Sequence, residues 1–383
     1  MLHEWTLIDV DQDRYVEEWN YEGSRHGWPE LEISLRRLRG GLQDGVERIT
    51  VRDGDFSFDL LPTRGMSLHA ARLGDWRIGW RSPIRGPVHP RFVPLSEPTG
   101  LGWLDGFDEL LVRCGLESNG APDFDEHHRL THPLHGRIGN LPARKVTVAV
   151  DTEAQTVSIS GVVDECRFHF LKLELTATVT LKKGVAGVTI DDSILNRGAG
   201  TARAQMLYHI NFGEPLLDAG AQLIAAAQRV VPRNPHAARS IDQWDRYPAP
   251  MPGSEEQVYF LDLLTDPQGF AETMLKDAHG TRAAVVRHRP DQLPCFSQWK
   301  DPGAVEDGYV TGLEPGTNFP NPRRFEGEHG RELEIPAGTA RQLRVELRFL
   351  DDAASIAKQE ASIVARRNGA PELLAAPDPD WCA

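Results

Sequence analysis

The sequence predicts a mostly β protein, a sandwich or barrel rather than a wound α/β sheet. Three observations carry this. Apolar residues alternate with polar ones at period two over several segments, as in strands with one buried face. Turn formers are abundant, with 35 glycines and 27 prolines in 383 residues. Long helical patterns are scarce, and strands do not alternate with helices in the way a Rossmann-type sheet requires.

The elements follow in order. Val146, Val148 and Val150, then Val157 and Ile159, flank the turn-like Asp151-Thr152-Glu153 and predict a hairpin. Leu171, Leu173, Leu175, Ala177, Val179 and Leu181 extend the same period, Gly184 breaks it, and Val188 and Ile190 resume it. Near the end, Leu343, Val345, Leu347 and Phe349 alternate with Arg344, Glu346 and Arg348. The best helical pattern spans 353–366, with Ile356, Ile363 and Val364 on one face and Gly369 and Pro371 closing it. With no repeat and no long linker, residues 1–383 are expected to form one domain. Residues 1–44 are its N-terminal strands or extension, and 370–383 a loosely ordered tail.

Composition bounds the partners. Hydrophobic residues make up 40% and charged residues 26%, enough for a substantial core. A formal net charge of −14 argues against nucleic acid and against an anionic membrane surface. Met1-Leu2-His3-Glu4-Trp5 lacks the basic and apolar stretches of a signal peptide, and no run approaches the roughly 20 apolar residues of a membrane span. Cys114, Cys166, Cys295 and Cys382 are scattered, without a CxxC pair. A cytoplasmic protein with free thiols is expected; oligomeric state is not legible.

Several segments break the strand pattern with dense Gly, His, Arg, Asn and Trp: 61–66, 113–122, 133–140, 207–213, 298–300 and 312–320. Such residues suit a sugar, which needs many donors and acceptors and an apolar platform for its ring. His209 and Glu314 are candidates for an acid–base couple across one cleft, because an imidazole and a buried carboxyl can both be tuned toward neutrality. Plainer readings stand beside these. His209 is equally a hydrogen-bonded half-core residue, Glu314 a solvated turn carboxylate, Trp299 a core residue, and Arg64 and Arg137 members of structural ion pairs. His127, His128, His132 and His135 have spacings that can bind zinc. No HExxH helix is present and Pro133 disfavours helix at His132, so no metal is expected.

Leu134-His135-Gly136, Tyr208-His209-Ile210-Asn211-Phe212 and Gly312-Leu313-Glu314, in that order, resemble motifs of the aldose 1-epimerases, the galactose mutarotase group. The blocks 113–122, 134–140 and 312–320 look like a bacterial branch of poorly defined function, and the resemblance covers about residues 45–350. It implies a β supersandwich of two large antiparallel sheets with few short helices. It implies a mutarotase that interconverts sugar anomers by ring opening, without a cofactor. His209 would be the general acid, Glu314 the general base, and His135 a sugar ligand. Arg137, Asn119, Arg64, Gln298, Trp299, Lys300 and Asn211 are the further expected substrate-binding residues. The family's substrate-binding aspartate has no evident counterpart, nor has its familiar arginine motif, for which Arg64, Arg113 or Arg137 are possible replacements. The arginines and Lys300 would suit an acidic sugar. Two other functions remain open: an isomerase, epimerase or lyase acting on an oxidised sugar, and a non-catalytic carbohydrate-binding protein.

Overall fold

The computed structural model describes the backbone of all 383 residues and every side chain except those of Arg25 and His26. Two large sheets face each other, one of ten strands and one of fourteen. Pairing is antiparallel almost throughout; the segment Glu372–Leu373 adds in parallel beside Ala227–Pro232.

The ten-stranded sheet is built from the segments with the clearest alternation. Lys145–Asp151, Thr156–Cys166, Lys172–Lys182 and Gly187–Asn196 pair in succession, and Ala340–Leu350 joins Gly187–Asn196. Valines and leucines at every second position point inward, so the sheet contributes Val148, Ile159, Leu175 and Val345 to a core shared with Tyr208, Phe212, Leu313 and Phe296 of the other sheet. The N-terminal region is divided. Leu2–Asp9 pairs with Lys145–Asp151 in the ten-stranded sheet, whereas Glu18–Glu22 and Leu31–Arg37 lie at the edge of the fourteen-stranded one.

Behind the core, a buried ion pair ties the sheets together. Arg113 donates from Nε and Nη2 to Asp192, 2.5 and 2.9 Å away, and Tyr208 Oη donates to the same carboxylate at 2.9 Å. Each charge removed from water is thus matched and hydrogen-bonded, as burial demands.

The helix runs Ala353–Val364, capped where the Asp352 side chain accepts from the Ser355 amide. Ile356 and Ile363 are buried, while Val364 turns outward. No helix among the described residues is long and apolar enough to cross a membrane. The tail, expected to be loose, is docked. The Trp381 ring lies 4.8 Å from that of Phe319, tilted by 32°, Cys382 is buried, and Asn321 Nδ2 donates to the Trp381 carbonyl. Its composition hid this, because few apolar residues, Leu374, Trp381 and Cys382, make the contact.

Candidate active site

Four adjacent strands of the fourteen-stranded sheet carry the site: Cys295–Asp301, Val310–Gly316, Ala202–Phe212 and Leu111–Leu116. Register sets Leu207 opposite Gly316 and Ile210 opposite Leu313, so His209 and Glu314 are cross-strand neighbours. Both point away from the core into a cleft of about 520 Å³. His209 Nε2 lies 3.3 Å from Glu314 Oε1.

Local packing holds this couple. His209 Nδ1 meets Asn211 Oδ1 at 2.6 Å, and Asn211 Nδ2 donates to the Glu109 carbonyl. That bond aims the other ring nitrogen at Glu314. A side chain at Gly312 would collide with Glu314 Oε1 and approach His209 Cε1 to 3.1 Å, so glycine there makes room for the couple. His135 sits with its ring 5.1 Å from that of His209, its Nδ1 against the Asn119 carbonyl at 2.9 Å. Trp103, Phe107 and Trp299 wall the couple with ring separations from His209 of 6.2, 5.1 and 5.4 Å.

Burial sets the protons. It pushes the Glu314 carboxyl up to about 8, with the Glu256 charge adding and Arg233 opposing. Burial, and to a lesser extent His135, holds the His209 imidazole well below its ordinary value. His135 is likewise depressed by burial, to about 4. Both directions favour a couple that holds one titratable proton near neutrality. Trp103 and Glu314 line the cleft, and their buried Nε1 and Oε1 atoms have no hydrogen-bond partner among the described residues, although Oε1 faces His209 Nε2 at 3.3 Å. Unpaired buried polar atoms are costly.

His209, Glu314, His135 and Trp299 are thus brought together, and Asn211 acts through His209. The other expected ligands do not line the cleft. Arg64 is fully buried, donating to Glu109 Oε1 at 2.9 and 2.6 Å, to the Gly106 carbonyl and to Asn140. It braces the turn Gly102–Gly106 that presents Trp103. Gln298 and Lys300 flank Trp299 on a strand, so they face the opposite side. Gln298 donates to Trp244 O and Tyr247 Oη, and Lys300 Nζ to the carbonyls of Gln243, Trp244 and Arg246. Burial lowers Lys300 to about 8. Asn119 pairs its amide with Asn318, and Arg137 is half-buried outside the cleft lining. The cations that suggested an acidic sugar therefore point elsewhere.

The histidine cluster is dispersed. His127 and His128 are exposed, His132 lies 4.0 Å from Glu117, and His135 enters the cleft. Among the described residues no three His, Cys, Asp or Glu gather as metal ligands would.

Sequence reasoning missed Trp80, Trp103, Phe107, Arg233 and Glu256. The run Gly102-Trp103-Leu104-Asp105-Gly106-Phe107, aromatics between glycines outside any alternation, was the available signal.

A family described as a domain of unknown function (DUF4432) matches residues 43–349. The chain belongs to that family. No curated protein matches its sequence. Among solved structures, a "putative aldose 1-epimerase" from Klebsiella pneumoniae aligns over 99% of both chains with 29% identity and a TM-score of 0.94. A galactose mutarotase-like protein from Clostridium acetobutylicum aligns over 84% of this chain and 99% of its own, at 14% identity and a TM-score of 0.57. A galactose 1-epimerase from Lactobacillus acidophilus does so over the same shares at 11% identity and 0.54. This DUF4432 chain thus has the galactose mutarotase-like fold.

Proposed function

We propose that the protein is an aldose 1-epimerase, interconverting the anomers of a reducing sugar. The observation that carries this reading is the His209–Glu314 contact at 3.3 Å on the floor of the cleft; burial, which raises Glu314 and lowers His209, favours one titratable proton for the two groups to exchange. Ring opening needs just that: a proton delivered to the ring oxygen O5 and one removed from the anomeric hydroxyl. The C1–O5 bond breaks as O1–H is deprotonated, giving the open aldehyde; rotation about C1–C2 and reclosure by the reverse transfers give the other anomer. No electrons leave the sugar, so the chemistry needs no redox partner.

In the resting state Glu314 holds the proton and serves as acid, and neutral His209 Nε2 serves as base. The assignment implied by the family resemblance, His209 acid and Glu314 base, is the same couple with its proton moved across. Both arrangements carry one proton and both operate, one for opening and the other for closing. Trp299 and Phe107 offer the apolar platform, and His135 offers a contact for a hydroxyl.

The test is two-dimensional exchange NMR on a panel of neutral, phosphorylated and carboxylated aldoses. Anomer exchange faster than in buffer for at least one sugar is expected. New product signals without faster anomer exchange would instead assign the couple to an isomerase or lyase reaction.

A further inference from the structure

A separate pocket of about 230 Å³ opens on the fourteen-stranded sheet and shares no lining residue with the cleft. Glu47–Asp53, Phe56–Leu61, Ser67–Leu73 and Trp76–Ile78 pair in succession beneath it. Ile49, Val51 and Phe58 point into the core, so the residues between them face outward. Register sets Ser57 opposite Arg72 and Arg72 opposite Arg77, which puts the three on that outer face. Arg48 joins them from the first strand. The register slips between Asp59 and Leu60, and the bulge turns His69 into the pocket. Ala70, opposite Asp59, is short enough to leave the space open.

The lining is positive and poorly satisfied. Among the described residues, none of Arg48, Arg72 and Arg77 forms an ion pair. Arg48 Nε is buried without a hydrogen-bond partner. So is His69 Nδ1, with Asp108 Oδ1 4.0 Å away. The carboxylate in the lining, Asp59, already accepts from Thr50 Oγ1 at 2.5 Å. Asp108 adds little opposing charge, because burial, and then Glu109, raises its carboxyl well above the ordinary range. Burial, and then the charges of Arg77, Arg48 and Arg64, push His69 down to about 4, so the ring feels the same positive field. This excess of positive charge stands in a chain of formal net charge −14. Partly buried guanidiniums without a counter-ion are costly, and an oxyanion that accepts from them offsets that cost.

We propose that this pocket binds a tetrahedral oxyanion of the phosphate class. A carboxylate has its two oxygens in one plane and suits a single guanidinium. A phosphate group presents oxygens in several directions, toward Arg48, Arg72 and Arg77 together, with Ser57 and His69 as neutral donors beside them. The site is independent of the reaction performed in the cleft.

Isothermal titration calorimetry with inorganic phosphate, at fixed ionic strength, tests it. Saturable binding at one site is expected. Arg48→Gln should weaken it about tenfold or more, and Arg72→Gln about threefold or more. Arg39→Gln, which removes the same charge at an exposed position outside the pocket, should change it less than about twofold. Arg77 is left unaltered because its Nη1 donates to the carbonyl of the cleft residue Trp80. If Arg48→Gln does not fold, Arg72→Gln carries the test, since Arg72 is exposed. Glycerol phosphate is the second ligand. Binding tighter than that of phosphate assigns the pocket to a phosphate monoester, and weaker binding assigns it to the free ion; either one, lost with Arg48 or Arg72, supports the site. No saturable binding of either ligand would overturn the proposal, as would wild-type affinity in both pocket variants or an equal loss in Arg39→Gln.

Discussion

The two sheets treat burial differently. In the ten-stranded sheet, Thr156–Cys166 and Lys172–Lys182 alternate buried and half-buried positions. In the other, Leu111–Leu116 and Val310–Gly316 are buried at every position. A strand with one wet face leaves its polar side chains to water; a strand covered on both faces must pair them internally. Arg113 and Lys300 meet that demand with several bonds each. Glu314, equally buried, keeps Oε1 without a hydrogen-bond partner. Arg113 and Lys300 hold the fold, whereas Glu314 lines the cleft beside His209, and each prediction below tries that separation.

The largest effect is expected at His209. His209→Asn should lower the catalysed exchange rate by about 10²–10⁴-fold while near-ultraviolet circular dichroism stays native. A rate close to wild type would place His209 among the structural residues. Gly312→Ala comes next. Its methyl takes space that Glu314 Oε1 occupies, and misplacing a reacting group by about 1 Å costs up to ~10²-fold. We expect kcat to fall roughly ten- to hundredfold, with KM nearly constant, in steady-state exchange measurements.

The pH profile tests the proton count. Glu314, raised to about 8, must keep its proton for the couple to have an acid, so the rate should fall about tenfold per unit above pH 8. His209 is depressed, so the couple gains its second, inhibitory proton only well below pH 6.5, and the plateau should extend through neutrality. A rate that climbs from pH 7 to 9 would contradict the single-proton couple.

Neighbours on one strand supply the gentlest test. Trp299→Ala should raise KM roughly tenfold by removing the ring platform, about 1.4 kcal/mol. Lys300→Met should do the reverse. Three carbonyls lose their donor, which costs about 1–3 kcal/mol in urea unfolding, while turnover per folded molecule stays within about threefold.

Much of the fold was legible because period two is a direct consequence of strand geometry, and the segments at 146–150, 157–159 and 171–181 show it cleanly. The couple was legible from residue type and motif order. What failed was the assignment of faces. Arg64, Gln298 and Lys300 have the chemistry of sugar ligands, and residue type says nothing about direction. Period two does: once Trp299 faces the cleft, Gln298 and Lys300 cannot. Trp103 and Phe107 were missed because they ride on a turn without periodicity, marked only by aromatics set between glycines. The docked tail escaped because its Ala/Pro/Asp composition outweighed Trp381.

The central claim is that Glu314 and His209 together move protons on a bound aldose. Glu314→Gln tests it most directly, since the amide keeps the shape and cannot exchange a proton in the same way. Exchange NMR on the best sugar, with wild-type and variant proteins of matched thermal stability, should show the catalysed rate lost by about 10²–10⁴-fold with binding retained. Exchange at the wild-type rate in Glu314→Gln would contradict the account.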